Sequence, residues 1–342
     1  MSVSGADRAP PFDHLHRLTD ARGLFEHALH GEPRLEHGYC LDDVARALVV
    51  VYRQSQPNPK LLRAGRRYLE FALSAIQDDG SCHNRMTISG AWSDTPGLGD
   101  WWGRAIWGLG VTAAHAPSDA TRARAILGFR TAARQRSPHP LSMAFAALGA
   151  GEVLLSRPDE LSARALLRDF TASVDDLGGA RPRWPWPRPR LAYGNGSVVE
   201  ALLLAGAALP DLDAHQRGLE LLDFLLCKET HDGHLSVTPV GGRGPHDLTP
   251  GFDQQPIEVA ALADACGRAF DITGDVRWLD GVRMAWAWFL GDNDVGTPMF
   301  DPETGGGFDG LHETGPNLNQ GAESTLALLS TVQQARRLGV LS

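Results

Sequence analysis

Five short stretches of the chain gather side chains able to do acid–base chemistry. They are His37-Gly38-Tyr39-Cys40-Leu41-Asp42-Asp43-Val44-Ala45-Arg46, Asp100-Trp101-Trp102-Gly103-Arg104, Tyr193-Gly194-Asn195-Gly196, Phe252-Asp253-Gln254-Gln255-Pro256-Ile257-Glu258 and Asn317-Leu318-Asn319-Gln320-Gly321-Ala322-Glu323. Polar residues recur four apart within them: Asp42 with Arg46, Asp100 with Arg104, Gln254 with Glu258, and Asn319 with Glu323. Residues four apart share a helix face. If those faces converge, several carboxylates and two guanidinium groups line one cavity. Burying a carboxylate is costly unless it is paired or hydrogen-bonded, so such a cluster implies a site. Two carboxyl groups across a glycosidic bond can cleave it. One protonates the leaving oxygen and the other activates water, at a separation of roughly 6.5–9.5 Å in an inverting pair.

Aromatic residues accompany the acids: Tyr39, Trp92, Trp101, Trp102, Trp184, Trp186, Tyr193 and Phe252. Flat rings stack on the apolar faces of sugars, while Asp, Asn, Gln and Arg bind hydroxyls. Helix capping is the competing account for Asp42, Asp100, Asp253 and Asn319. It does not extend to Arg46, Arg104, Glu258 and Glu323, one turn deeper, although the arginines also fit a role in buttressing neighbouring helices.

The expected catalytic set is therefore Asp43, Asp100, Glu258 and Glu323, facing one cavity. The expected sugar-binding set is His37, Tyr39, Asp42, Trp101, Trp102, Arg104, Trp186, Tyr193, Asn195, Asp253, Gln254, Gln255, Asn317, Asn319 and Gln320. Glu258 is the expected essential group, acting with an aspartate from the second or fourth helix. It lies one turn inside its helix, where no cap is needed, and Phe252, Pro256 and Ile257 would limit water around it. Glu323, behind Asn319-Gln320, is the nearest alternative.

No cofactor or metal is expected. The chain lacks GxxxxGK[ST], GxGxxG, HExxH and GxSxG, and Gly305-Gly306-Gly307 is not a phosphate loop.

Helices must position these residues. Apolar residues recur at the helical period, as in Trp278, Val282, Ala285, Trp286 and Phe289. Pro and Gly clusters cut the chain into twelve helices near 12–30, 41–55, 59–77, 100–116, 119–135, 140–156, 158–173, 196–208, 212–228, 256–273, 275–291 and 320–338. Most long links, 78–99, 174–195, 229–255 and 292–319, precede even-numbered helices, and the acidic stretches lie at their ends. An up-down series with its long loops on one side closes into a toroid of six hairpins, an all-α (α/α)6 barrel. Even helices, richer in Ala and Gly, form its inner ring, and the turn signatures at 77–81, 230–234 and 301–310 read as short hairpins. No domain linker is evident. Residues 1–342 read as one domain, with 1–11 a flexible arm.

The net charge is 32 − 41 = −9, and no basic cluster stands out, which argues against nucleic acid or an anionic membrane as partner. There is no apolar signal segment and no run of the ~18 apolar residues a membrane span needs. The four cysteines form no CxxC and read as reduced thiols of a cytoplasmic protein. The expected partners are an oligo- or polysaccharide substrate and, at most, a second copy of the chain as a homodimer.

The stretches 38–47, 103–110, 252–258, 300–311 and 319–325 together resemble a bacterial helical family within the six-hairpin glycosidase superfamily. Its members occur alone or fused behind glycosyltransferase domains, and many carry only a glycosyltransferase label. The resemblance implies an (α/α)6 barrel and a carbohydrate-active enzyme, and it covers most of the chain. No sugar-nucleotide-binding half precedes residue 12 here. Trp101-Trp102 stand where related sequences place a Ser-His pair.

The leading expectation is an inverting glycoside hydrolase. A non-catalytic carbohydrate-binding module would use the same rim without a matched acid/base pair. A sugar epimerase on the same toroid would need a histidine pair, for which His37, His83 and His139 are the rim candidates. A terpene cyclase would need DxDD or DDxxD, and Asp42-Asp43-Val44-Ala45-Arg46 is neither.

Overall fold

The structure is a computed structural model that describes residues 11–175 and 184–341. The N-terminal arm before Pro11 and part of the 174–195 link lie outside the described residues. Among the described residues there are twelve α-helices: α1 (Asp13–Arg17), α2 (Leu41–Arg53), α3 (Pro59–Ala75), α4 (Asp100–His115), α5 (Asp119–Ala132), α6 (Pro140–Ser156), α7 (Leu161–Asp175), α8 (Asn195–Ala208), α9 (Leu212–Glu229), α10 (Pro256–Thr273), α11 (Arg277–Leu290) and α12 (Ala322–Arg337). The even helices pack in the order α2, α4, α6, α8, α10, α12, and α12 returns onto α2. Each odd helix from α3 to α11 packs on the even helix before it, and α1 packs on α12. This is a closed (α/α)6 barrel. No described helix is long and apolar enough to cross a membrane.

The inner helices are apolar on most faces, so they are stable only when surrounded. In α6 every residue from Ser142 to Leu154 is buried. Small residues let the helices close up. A Cβ on Gly149 would fall well inside contact range of the Ile106 carbonyl oxygen on α4, and one on Gly110 would strike the Gly149 carbonyl. A Gly149→Ala substitution is therefore expected to cost ~1–3 kcal/mol through overpacking. Urea unfolding checks this, and an unchanged midpoint would contradict the close approach.

Helix 12–30 is the sequence expectation that fails. Only one turn forms, because Asp20 captures the chain: its Oδ1 accepts hydrogen bonds from the backbone N–H of Arg22 (2.8 Å) and Gly23 (3.0 Å). Leu15, Leu18, Leu24, Phe25 and Ala28 are all buried, so their spacing imitates a helix face without being one. The segment continues into a ribbon of β1 (Ala28–Leu29) and β2 (Glu32–Pro33), then a single 3-10 turn, Leu35–His37.

Three further two-stranded antiparallel ribbons lie in the links. β3 (Tyr39–Cys40) pairs with β4 (Arg85–Met86), so it leads directly into α2 under a fixed register. β5 (Thr230–His231) pairs with β6 (His234–Leu235) across an Asp232-Gly233 turn, both residues with positive φ, as a tight hairpin requires. β7 (Gly310–His312) pairs with β8 (Gly315–Asn317) just before α12.

Candidate active site

Side chains cap the outer helices α3, α5 and α9, through Asn58, Ser118 and Asp211. None of the six inner helices has a side-chain cap. The acidic residues at the inner-helix starts are therefore not spent on capping. Asp42 and Asp43 lie in the first turn of α2, Glu258 in that of α10 and Glu323 in that of α12.

A single network joins Asp42, Asp43 and Glu323. Arg46 donates from Nη1 to Asp43 Oδ1 (2.5 Å) and from Nη2 to Glu323 Oε2 (2.5 Å) and Tyr193 Oη (2.7 Å). Arg104 donates from Nη1 to Asp42 Oδ1 (2.9 Å) and from Nη2 to Tyr193 Oη (2.6 Å). The Tyr193 hydroxyl donates to Glu323 Oε2 (2.9 Å). Arg104 also lies over the Phe145 ring, 4.0 Å from its centroid. Arg46, Arg104 and Asp43 are buried, whereas the Glu323 side chain keeps 34% of its surface exposed. Glu323 is thus the carboxylate of this network most open to a ligand.

Glu258 sits behind the turn that carries Tyr193. Its Oε1 accepts from Gly194 N–H (2.5 Å) and its Oε2 from Asn195 N–H (3.3 Å), and only 4% of its surface is exposed. Burial raises its pKa to about 8, with the charges of Glu229 and Glu323 adding to the effect and the two N–H groups opposing it. Asp43 is raised to about 7, by burial first and by Glu323 and Asp42 next, against Arg46. Burial would raise Asp42 also, but Arg104 and Arg46 hold it below the usual range.

Asp309, in the link before β7, was passed over in the sequence because Asp309-Gly310 reads as a turn. Its Oδ1 accepts from Gly321 N–H (2.8 Å) and from the Ser324 hydroxyl, which fastens it to the start of α12. Burial pushes it up to about 6, opposed by those two bonds and reinforced by Glu323 and Asp253. Asp253 is also raised, by burial, against the pull of His312 3.8 Å away. His27 was hidden by the mistaken first helix. It meets His37 edge-on, with ring centroids 4.9 Å apart, and it feels the charge of Glu323. Glu323 is therefore an electrostatic neighbour of Asp43, Glu258, Asp309 and His27 together.

The structure places other sequence-selected residues elsewhere. Asp100 accepts from the Ser142 hydroxyl (2.6 Å), outside this network. Tyr39 is buried against Phe25 and donates to Asp20 (2.6 Å). Trp102 is fully buried with its Nε1 on the Ala132 carbonyl, and Trp186 is buried as well. Gln254 is fully buried and donates to Asp294 (2.6 Å), and Gln320 is spent on Thr304 and Asp301. Asn319 accepts from His30 N–H and Asn317 from Asn319 N–H, so both shape the loop. Asn195 is buried beside Glu258, and Gln255 is half-buried just before Pro256. His37 is exposed, and Trp101 is half-buried with its Nε1 on the Cys82 carbonyl. His83 stacks on Trp92 and pairs with Asp94 at 3.1 Å.

Glu258, Asp43, Asp309 and the buried Glu229 all have raised pKa values, so the folded state holds protons that the unfolded chain releases. Their stabilising contribution is complete below the ordinary carboxylate range and is lost as pH rises through about 8, the value for Glu258. Urea midpoints are therefore expected to fall between pH 5.5 and 8.5, and Glu258→Gln to flatten that slope. A Glu258→Gln protein with the wild-type slope would refute the assignment.

No protein-family model and no curated protein sequence matches the chain. Solved structures do. A sugar epimerase from a ruminal bacterium superposes with a TM-score of 0.73 at 14% identity, covering 97% of this chain and 96% of that one. A D-mannose isomerase gives 0.69 at 11%, covering 96% and 95%. The cellulase Cel9M in complex with cellobiose gives 0.65 at 8%, covering 93% and 88%. At these identities the likeness establishes the shared fold: the chain has the (α/α)6 barrel of these enzymes over nearly its whole length.

Proposed function

We propose that the chain is a carbohydrate-active enzyme, a glycoside hydrolase that cleaves a glycosidic bond at the end of the barrel where the inner helices begin. One observation carries the reading: Glu323, held by Arg46 and Tyr193, is the most open acid of a buried network and stands in the field of Asp309. An ion-paired carboxylate fixed by two donors is suited to activating water. A carboxyl raised to about 6, as Asp309 is, is suited to protonating a leaving oxygen. Glu323 is the base and Asp309 the acid. Glu258 acts indirectly, since both its oxygens are engaged by the turn that carries Tyr193. The half-buried rings of Trp92, Trp101 and Phe252 supply surfaces for sugar stacking. The solved structures of this fold include a cellulase holding cellobiose, which is consistent with a sugar ligand.

Epimerisation is the second reading. The His27–His37 contact beside Glu323 favours it, as do structural neighbours that are a sugar epimerase and a D-mannose isomerase. Hydrolysis is preferred because Arg46 and Tyr193 fix Glu323 at 2.5 and 2.9 Å, whereas His27 and His37 meet the carboxylates of Glu26 and Glu36 only at 3.6 and 3.8 Å. The test is proton NMR of defined oligosaccharides with the protein in D2O. Hydrolysis produces new reducing ends with one anomer first. Deuterium at C2 of an uncleaved sugar would overturn this reading in favour of epimerisation, and binding without turnover would favour a binding module.

A further inference from the structure

At the end of the barrel where the inner helices finish, a cavity of about 500 Å³ opens between α2, α4, α6, α8, α10 and α12. That is the size of a small-molecule pocket. Its wall is charged. Arg53 donates to Asp264 (2.9 Å) and reaches Glu200 (3.4 Å), while Arg268 donates to Glu152 (2.5 Å) and reaches Glu200 (3.4 Å). Glu152, Glu200 and Asp264 are all buried. Apolar packing of the same volume would serve stability as well or better than a buried ion array. Between this array and the Arg46–Arg104 network the inner helices are mainly apolar, so the fold itself does not call for these charges.

The hydrogen-bond accounting points to an anion. The carboxylates are already spent: Glu152 also meets His115 (2.8 Å), and Asp264 also accepts from Gln334 (2.7 Å) and Ser330 (3.2 Å). The unspent groups are mostly donors. Arg268 Nε is buried with no partner. Arg336, half-buried on the wall, has a guanidinium that pairs with no group among the described residues. One acceptor, Gln333 Oε1, is buried and unpartnered. Burial pushes the Glu200 carboxyl upward, with Asp264 and Glu152 adding to this and Arg53 and Arg268 opposing. Arg337 is paired with Asp271 (2.7 Å), so among the described residues Arg336 is the guanidinium of the wall without a carboxylate partner.

We propose that this cavity is a second binding site that recognises a phosphate group, free or carried on a small polyol. The planar fork of Arg336 matches phosphate oxygens, with the guanidinium of Arg268 on the same wall. The site is separate from the Glu323 network and does not depend on the hydrolase reading.

Calorimetric titration of the whole protein tests it, with inorganic phosphate and glucose 6-phosphate as probes. A saturable 1:1 heat is expected for both, and Arg336→Ala is expected to weaken both by about tenfold or more, the scale of one lost charge-assisted contact. Arg336 makes no ion pair, so that variant should keep the wild-type urea midpoint. Tighter binding of glucose 6-phosphate supports a phosphorylated polyol, and equal binding supports the free anion. Glu323→Gln should leave both titrations unchanged. The proposal is overturned by the absence of saturable heat up to roughly 10 mM of either probe, a weak-binding ceiling. It is equally overturned if Arg336→Ala binds like wild type, or if Glu323→Gln abolishes binding.

Discussion

Glu323→Gln is expected to fold and to lose ~10²–10⁴-fold in turnover, the usual worth of one general acid–base group. Glutamine keeps the shape of glutamate and can still accept from Tyr193 Oη and Arg46 Nη2, so the network survives. The lost property is the capacity to take a proton from water. Substrate affinity should change little, because the remaining network and the half-buried rings of Trp92, Trp101 and Phe252 are intact. The expected signature is therefore a fall in kcat with KM nearly constant. The pH profile offers a second check. If Asp309 is the acid, wild-type activity should decline on the alkaline side from about 6, where Asp309 loses its proton. A Glu323→Gln protein that turns over at close to the wild-type rate would remove Glu323 from the chemistry and would return attention to Glu258.

Arg46→Met carries the largest expected effect on stability. Arg46 is buried and is the common donor to Asp43, Glu323 and Tyr193. Methionine replaces its stem but not its charge. Asp43 is then left buried without its counter-ion, and Glu323 loses the charge that offsets its repulsion of Asp43. Removing one partner of a buried ion pair costs ~3–5 kcal/mol. The sign with pH follows from Asp43, whose native pKa of about 7 already depends on the opposing pull of Arg46. Without Arg46 that value rises further, so the variant is penalised more as pH increases and least in mild acid, where Asp43 is protonated in both proteins. Urea unfolding at pH 5.5 and 8 measures both the size and the trend. A deficit below 1 kcal/mol at pH 8, or one that shrinks with rising pH, would contradict the role assigned to Arg46.

Much of the architecture was written locally. Helix positions follow from apolar period and from punctuation by Pro, Gly and cap residues, and both are properties of neighbouring residues. The helices read from 59, 119 and 212 start there, capped by Asn58, Ser118 and Asp211, and Gly274 and Gly291 end theirs with positive φ. The alternation of short and long links then implied the two rings, because a short link leaves no choice but an antiparallel neighbour. The stretches bearing Asp42, Asp43, Glu258 and Glu323 were legible as a group for the same reason: inner-helix starts must lie at one end of such a ring.

Assignments that depend on long-range partners were decided only by tertiary structure. Asp20 ends the first helix by binding the backbone of Arg22 and Gly23, and this exposes His27 at the rim. Tyr39 and Trp102, both plausible sugar contacts by residue type, are drawn into the core because Asp20 and the Ala132 carbonyl satisfy their polar atoms there. Glu258 and Glu323 both lie in the first turn of their helices, α10 and α12. One is sealed by the backbone of Gly194 and Asn195, while the other meets Arg46 and stays open. Asp309 reads as a turn until α12 donates to it. Residue type and spacing determined by themselves which groups could act and at which end of the barrel. Which of them is buried, paired or free to meet a sugar was decided by contacts between residues up to hundreds of positions apart, because burial and hydrogen-bond partners are set by the packed whole and not by the local chain.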